Sequence, residues 1–381
     1  MRSGKRQFQK ELFTGDAGSR LLRVAQNLVL SESLGPAQKI TAHYGSPEAI
    51  FRAPVEELMA FGLDKERASA LTSPSLLKEA RRVLDWVAKK GYFVLTAEDE
   101  DYPKALLEIF EPPAVLYGAG NPEVLKEPAV AVVGARRPTP YGRAVAERLS
   151  RDLAACGLVV VSGMAAGIDS LAHWGAVAEG RTVAVLGSGL DVVYPPENKG
   201  LFRKIAERGA VISEFAPGTP PLGFHFPLRN RIISGLCLAV VVVEAAERSG
   251  SLITARLALD QGREVMAVPG NVTSGLSRGC HWLLQSGAKL VETWEDVVEE
   301  FSSPLQERFL RREEEERKKR PELSPEERMI FDCLKTDELT HIDELAERSA
   351  VSVSEILAIL LNLELKGLVH QVPGKHFQRS L

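Results

Sequence analysis

From residue 129 to residue 268 the chain repeats one pattern, and that pattern restricts the folds open to it more than any other feature. Short runs rich in β-branched residues, at 129–133, 158–162, 182–186, 210–213, 238–244 and 264–268, alternate with amphipathic segments of helix length. A strand followed by a helical crossover returns parallel to its neighbour, so the alternation predicts a parallel α/β sheet covered by helices on both faces. The near-continuous run Ala239, Val240, Val241, Val242 and Val243 suits a central strand, where neither face meets water.

At 381 residues and 45% hydrophobic, the chain exceeds one ordinary domain and can bury a core in each of two or three. Its longest apolar runs, such as 236–243, fall far short of a membrane span, and its charged start lacks the apolar core of a signal peptide. The reading is a cytoplasmic protein with no membrane association. Cys156, Cys237, Cys280 and Cys333 are scattered without a CxxC pair, and the adjacent Cys280 and His281 suit a metal poorly. Neither disulfides, a metal nor a cofactor is expected. A net charge of -4 gives no bulk attraction to nucleic acid, so any such binding needs positive charge gathered locally.

Composition divides the chain into an N-terminal helical domain (1–90), an α/β domain (91–301), a charged linker (302–323) and a C-terminal domain (324–381). In the first, Leu21, Leu22, Val24, Ala25, Leu28 and Leu30 give one apolar helical face, and Leu34, Gly35 and Pro36 mark a break. That break, followed by Ile40, Tyr44, Gly45 and Ile50, resembles a helix-hairpin-helix turn, whose amides can hold a phosphate; a small bundle that only packs or pairs is the alternative. The linker, with Glu313 to Glu316 followed by Arg317, Lys318, Lys319 and Arg320, is too polar for a core.

The last domain opens on Ser324, Pro325, Glu326 and Glu327, the signature of a capped helix start. Helices near 325–335, 340–348 and 352–366, then a hairpin through 377, give the order of a winged helix. The third helix, which would enter a major groove, offers two glutamates and one lysine, and residues 324–381 hold six basic against ten acidic side chains. Phosphate contacts need basic residues, so a protein-contacting or regulatory role is favoured over base reading.

Within the α/β region the glycines follow strands, where βα turns present N–H groups to anions. Gly134-Ala135-Arg136-Arg137-Pro138 places Arg136 at the second glycine of a dinucleotide fingerprint, which argues against a close pyrophosphate. Arg136 is then available for a phosphate or for an ion pair with the next helix. The turn from Ser162 and Gly163 to Asp169 leads to His173; Asp169 and His173 share a helical face and could act as acid and base, or cap and pack. Tyr194 could stack on a base or close the core. A basic turn, Phe226-Pro227-Leu228-Arg229-Asn230-Arg231, runs through an apolar strand into Ser249-Gly250-Ser251-Leu252-Ile253-Thr254-Ala255. Arginines beside aromatic residues are suited to phosphate contact and base stacking, and no nucleophile is paired with a base there. Internal salt bridges from Arg229 and Arg231 to the sheet are the alternative.

These motifs, with Val133, Gly189-Leu190-Asp191, Tyr194-Pro195, Ile232 to Leu236, Glu244 and Pro269-Gly270, occur in one order and resemble the DNA processing protein A (DprA/Smf) family over residues 92–301. Tyr102-Pro103, Pro112-Pro113 and Leu116-Tyr117-Gly118, ahead of the sheet, belong to the resemblance; His281 stands where asparagine is more usual. The resemblance implies an extended Rossmann-like parallel sheet domain, with a small N-terminal helical domain of SAM or helix-hairpin-helix type and a C-terminal winged helix. It implies a homodimer that binds single-stranded DNA without sequence preference, protects incoming strands and helps load the RecA recombinase during natural transformation, with no enzymatic activity. Carried over, the DNA pocket would use Arg136, Phe224, Phe226, Arg229, Asn230 and Arg231, with amides around Gly163 and at Ser249, Gly250 and Ser251.

The α/β region is neutral, with 17 basic and 17 acidic side chains over 129–301, so the arginines would have to meet in one cleft. The rival reading is a nucleotide phosphoribohydrolase on the related fold of the lysine-decarboxylase-like family. Those enzymes carry PGGxGTxxE, and residues 249–255 hold no glutamate where that acid would lie.

Overall fold

The computed structural model describes residues 16–319, 323–334, 339–349 and 351–379; the charged start of the chain and residues 320–322 of the charged run lie outside the described residues. The chain divides into two compact units after Phe309.

The first unit opens with helices α1 (Asp16–Leu30), α2 (Leu34–Tyr44), α3 (Pro47–Phe51), α4 (Val55–Ala60), α5 (Lys65–Leu71) and α6 (Pro74–Lys89). Strand β1 (Phe93–Thr96), helix α7 (Lys104–Leu107) and β2 (Val115–Gly120) follow. Alternation then begins with β3 (Ala129–Val133), α8 (Pro140–Ala155), β4 (Val159–Ser162), α9 (Ile168–Glu179), β5 (Thr182–Val185), α10 (Lys199–Arg208) and β6 (Ala210–Ser213). It continues through α11 (His225–Gly235), β7 (Ala239–Val242), α12 (Gly250–Asp260), β8 (Glu264–Ala267), α13 (Arg278–Gln285), β9 (Lys289–Leu290) and α14 (Trp294–Val298).

All nine strands join one sheet in the order β1-β2-β6-β5-β4-β3-β7-β8-β9, parallel from β6 to β9. This is an extended Rossmann-like domain, and six of its parallel strands lie on the six β-branched runs. Period-two alternation sends Ala131, Val133, Val161, Val240 and Val242 to one face against Ile232, Ile233, Ala255 and Ala258, and Val130, Val132, Val160 and Val241 to the other against Val145, Leu149, Ile168 and Ala172. Burial on both faces explains the continuous valines.

Two local expectations are corrected. The segment holding Leu116, Tyr117 and Gly118 is part of the sheet rather than ahead of it, pairing antiparallel with β1 and β6. Residues 226–231 are no turn: they lie in α11, with Pro227 near the helix start, where a missing N–H costs nothing.

In the helical region, α1 and α6 pack Leu21, Val24, Ala25, Ala80 and Val83 against the sheet, while Ile40, Ile50, Leu58 and Leu71 form a separate small core. Leu34, Gly35 and Pro36 are not a hairpin turn but the first turn of α2. Asn27 ties α1 to the sheet, donating to Glu214 O at 3.1 Å and accepting from Tyr117 Oη at 2.9 Å.

Helix α15 (Ser303–Lys319) precedes α16 (Pro325–Cys333), β10 (Thr340–His341), α17 (Ile342–Ser349), α18 (Val353–Leu365), β11 (Val369–Val372) and β12 (His376–Arg379). From α16 onward these elements are a winged helix with its own core of Ile330, Leu345, Ile356, Leu360, Leu363 and Phe377. The capping box is present: Ser324 Oγ accepts from Glu327 N at 3.1 Å and Glu327 Oε2 from Ser324 N at 2.8 Å. Among the described residues no helix is long and apolar enough to cross a membrane.

Candidate nucleic-acid interface

Strand β3 lies between β4 and β7, so successive crossovers leave it toward opposite sides of the sheet. Loops after β3 and β7 diverge at such a switch point, and a crevice opens at the carboxyl ends of the strands. Here it is a cavity of about 610 Å³, whose walls include Gly134 and Arg136 after β3, Ala165 and Asp169 at α9, Tyr194 after β5, Phe226, Arg229 and Asn230 of α11, and Ser249, Gly250 and Ser251 at α12. Seven of the ten residues singled out from the sequence therefore surround one space.

Their environments differ sharply. Arg136 is exposed, and its guanidinium lies 5.4 Å from the centre of the Phe226 ring rather than on a carboxylate of the following helix. Arg229 approaches the same ring at 5.7 Å but is only 4% exposed. Its Nη1 donates to Gly163 O at 2.6 Å and also to Val185 O, and its Nε donates to Asn230 Oδ1 at 3.1 Å. Burial pulls the Arg229 pKa down to about 10; nearby Asp169 opposes that and Arg136 adds to it. The group stays charged at neutral pH. Tyr194 stands 5.9 Å from Phe226, ring centre to ring centre, with 44% of its surface exposed.

At the opposite wall Ser249 caps α12, its Oγ accepting from Ser251 N at 3.4 Å. The first turn of this helix faces the cavity, where the positive end of the helix dipole favours an anion. The space thus combines an exposed guanidinium, a helix start and aromatic rings.

Three expected residues are not on its walls. Arg231 is 5% exposed and bonds Glu214 at 2.7 Å, the internal salt bridge to the sheet. Gly163 offers no free amide: its N–H donates to Asp169 Oδ2 at 3.2 Å while its carbonyl holds Arg229. It is glycine because a Cβ there would lie 2.6 Å from Arg229 Nη1. Phe224 is 51% exposed just before α11, its ring 4.5 Å from His225 and outside the cavity lining.

The acid/base alternative for Asp169 and His173 does not survive. His173 is fully buried, its Nδ1 sits 2.7 Å from Thr182 Oγ1, and burial together with Arg229 pushes its pKa down to about 3. It is a neutral core histidine at physiological pH. Burial raises the Asp169 pKa, against the pull of Arg229 and of the Ala165 and Gly163 amides. Sequence reasoning left Tyr194 undecided between stacking and core and gave Asp169 no place in the pocket; the signal that could have placed both is that each follows the end of a parallel strand.

Comparison with known proteins agrees with this architecture. The DNA recombination-mediator protein A family profile matches residues 93–302, and the DprA winged helix domain profile matches residues 314–375. DNA processing protein DprA of Streptococcus pneumoniae is 50% identical over 204 residues, 53% of this chain and 72% of that protein. Protein Smf of Escherichia coli is 39% identical over 301 residues, 78% of this chain and 80% of that protein. The crystal structure of DprA from Streptococcus pneumoniae superposes with a TM-score of 0.60 at 39% identity, over 72% of this chain and 96% of that one. DNA processing protein A from Helicobacter pylori, solved for its single-stranded DNA binding mode, gives a TM-score of 0.50 at 33% identity, over 54% of this chain and 93% of that one.

Proposed function

This chain belongs to the DNA recombination-mediator protein A family, and from that premise we propose that it binds single-stranded DNA without sequence preference, as a homodimer, and helps load the RecA recombinase onto strands taken up in natural transformation. It acts by binding and turns over no substrate. The observation that carries the reading is the cavity at the β3/β7 switch point, where exposed Arg136, the start of α12 and the ring of Tyr194 meet. The arginine and the amides suit phosphate oxygens, and an aromatic face suits any base, which is why sequence tolerance follows. The binding residues in this proposal are Arg136, Phe226, Asn230, Ser249, Gly250 and Ser251, with Tyr194 added; Arg229 and Gly163 hold the pocket in shape.

The homodimer draws support from the β9 edge of the sheet, where Leu290 is 44% exposed on the last strand. Between α12 and α13, Leu259 and Trp282, 59% and 58% exposed, line an open groove of about 1200 Å³. Apolar surface beside an unpaired strand edge is characteristic of association sites.

The test is fluorescence anisotropy with a labelled mixed-sequence strand, its duplex, and homopolymer strands of the same length. Similar affinity for every single strand and weaker binding of the duplex support the proposal. Equal affinity for duplex and strand, or none for either, contradicts it. RecA loading is tested separately, by whether the protein shortens the lag before RecA assembles on a strand coated with single-strand-binding protein.

A further inference from the structure

A second cavity, of about 380 Å³, lies within the first unit, between helices α1 and α2 on one side and, on the other, the loop after β1, the loop before β2 and the end of β6. Pockets for small ligands occupy roughly 300–1,000 Å³. This one shares no lining residue with the β3/β7 crevice. Leu30, Leu34, Ala37 and Pro112 give it apolar walls, while its buried charged side chains are incompletely paired.

Glu214, 3% exposed, accepts from Arg231 Nη2 through Oε1 at 2.7 Å, but its Oε2 has no hydrogen-bond partner among the described residues. Arg23, 7% exposed, pairs Nη2 with Glu98 and donates from Nη1 to Gln26 Oε1 at 3.5 Å, yet its Nε–H is likewise unpaired. Both side chains line the cavity. Buried polar groups ordinarily find partners, and a charged one left short is costly. Glu111 stands on the same wall, and among the described residues its side chain accepts no hydrogen bond. Burial raises its pKa, with Arg231 opposing and Glu214 adding, so the two carboxyls lie within electrostatic reach of each other. The cavity therefore offers acceptors on two carboxyls and one buried donor, Arg23 Nε–H.

We propose that this cavity binds a guanine base, free or as its nucleoside. The pairing edge of guanine sets two N–H donors beside one carbonyl oxygen, the complement of an acceptor-rich wall with a single guanidinium donor. Adenine and cytosine bring one amino donor to that edge, and thymine and uracil one N–H between two carbonyls, so each would leave a carboxyl without a donor. The apolar walls suit the faces of a flat ring. A phosphate does not suit the site. Glu98, Glu111 and Glu214 line it against Arg23, and carboxylates still outnumber guanidiniums when Arg231 behind Glu214 is counted. This preference is opposite to that of the β3/β7 crevice, where exposed Arg136 favours phosphate.

The inference does not rest on DNA binding, and its readout separates the two sites. Isothermal titration calorimetry of the full chain takes guanosine, inosine, guanosine monophosphate and putrescine as probes. Guanosine is expected to bind one per chain. Inosine, which lacks the amino donor, and guanosine monophosphate, which adds negative charge, should each bind at least about tenfold more weakly. Ala37→Phe fills the cavity without removing a polar group and should abolish guanosine binding, with circular dichroism reporting the fold; binding should persist in Arg136→Ala, which alters only the crevice. Glu111→Gln should narrow the preference for guanosine over its monophosphate, a change that a loss of folding would not produce. No guanosine binding in the wild type, equal binding of inosine or of the monophosphate, or putrescine bound as tightly as guanosine overturns the inference. So does guanosine binding that survives in folded Ala37→Phe or is lost in Arg136→Ala, and so does an unchanged preference in Glu111→Gln.

Discussion

Arg229→Ala is expected to destabilise the α/β unit by about 3–5 kcal/mol, the cost of removing one partner from a buried charged cluster. The guanidinium is 4% exposed and serves two backbone carbonyls, those of Gly163 and Val185. Alanine leaves both without that donor, at about 1–3 kcal/mol for each group left unsatisfied. It also strips Asp169, 8% exposed, of its nearby positive charge. That carboxyl can relieve part of the loss by taking up a proton. Burial already holds the Asp169 pKa above its ordinary value, and without Arg229 it rises further. A raised folded-state pKa means the native state binds more protons than the unfolded state between the two pKa values. The penalty is therefore smaller at pH 5 and grows as pH rises through the folded-state pKa. Urea denaturation of the wild type and Arg229→Ala at about pH 5 and about pH 8 measures this, and Arg229→Ala with Asp169→Asn should recover part of the pH 8 loss. A loss below about 1 kcal/mol, or one that is independent of pH, would refute the assignment of Arg229 to the scaffold.

Other expectations follow from the same geometry. Tyr194→Ala should weaken single-strand binding by about 1–3 kcal/mol, the worth of one stacked base, while leaving thermal stability nearly unchanged because the ring is 44% exposed; anisotropy and a thermal melt check both halves. Glu244 is 3% exposed and accepts from Thr139 N at 2.9 Å and from Thr139 Oγ1 at 2.5 Å, so Glu244→Ala should cost about 1–3 kcal/mol in urea denaturation by freeing the start of α8. In the winged helix, the Lys366 ammonium and the Ser324 amide hold the Glu327 pKa below its ordinary value. That contribution is present above the unfolded-state pKa and is lost as pH falls through the folded one. The stability difference between wild type and Lys366→Met should therefore shrink on acidification below about pH 4, as followed by circular dichroism.

How much of this was legible in the chain depended on whether the signal was local. The six parallel strands were, because burial on both faces demands continuous Val and Ile, and so was the capping box at Ser324, which is spelled within four residues. Strand β2 was not. Its glycines lower strand propensity, yet Gly118 is required there because a Cβ would lie 2.0 Å from the Phe93 ring of the antiparallel partner. That reason resides 25 residues away in another strand. The segment 226–231 read as a turn because Pro227 and the arginines dominate it; only the helical backbone separates its side chains, sending Phe226, Arg229 and Asn230 to the cavity and Arg231 to Glu214. Sequence placed the arginines together but could not tell the exposed Arg136 from the buried Arg229, since burial is decided by Gly163 and Val185 on other strands and loops. In α18 the sequence was read for its charges alone; which of its five leucines a neighbour covers is not local information, and Leu357, Leu361 and Leu365 stay exposed.

The most direct test of the central claim is a salt titration of single-strand affinity for the wild type and Arg136→Ala. Arg136 is exposed and carries a solvent-accessible positive charge of the cavity, so its removal should leave folding intact and weaken binding to all sequences alike. The slope of log affinity against log salt should fall by about 0.7, the value for each phosphate of a single strand that is no longer neutralised. An unchanged affinity and slope in a folded Arg136→Ala protein would mean that the strand does not pass through this cavity.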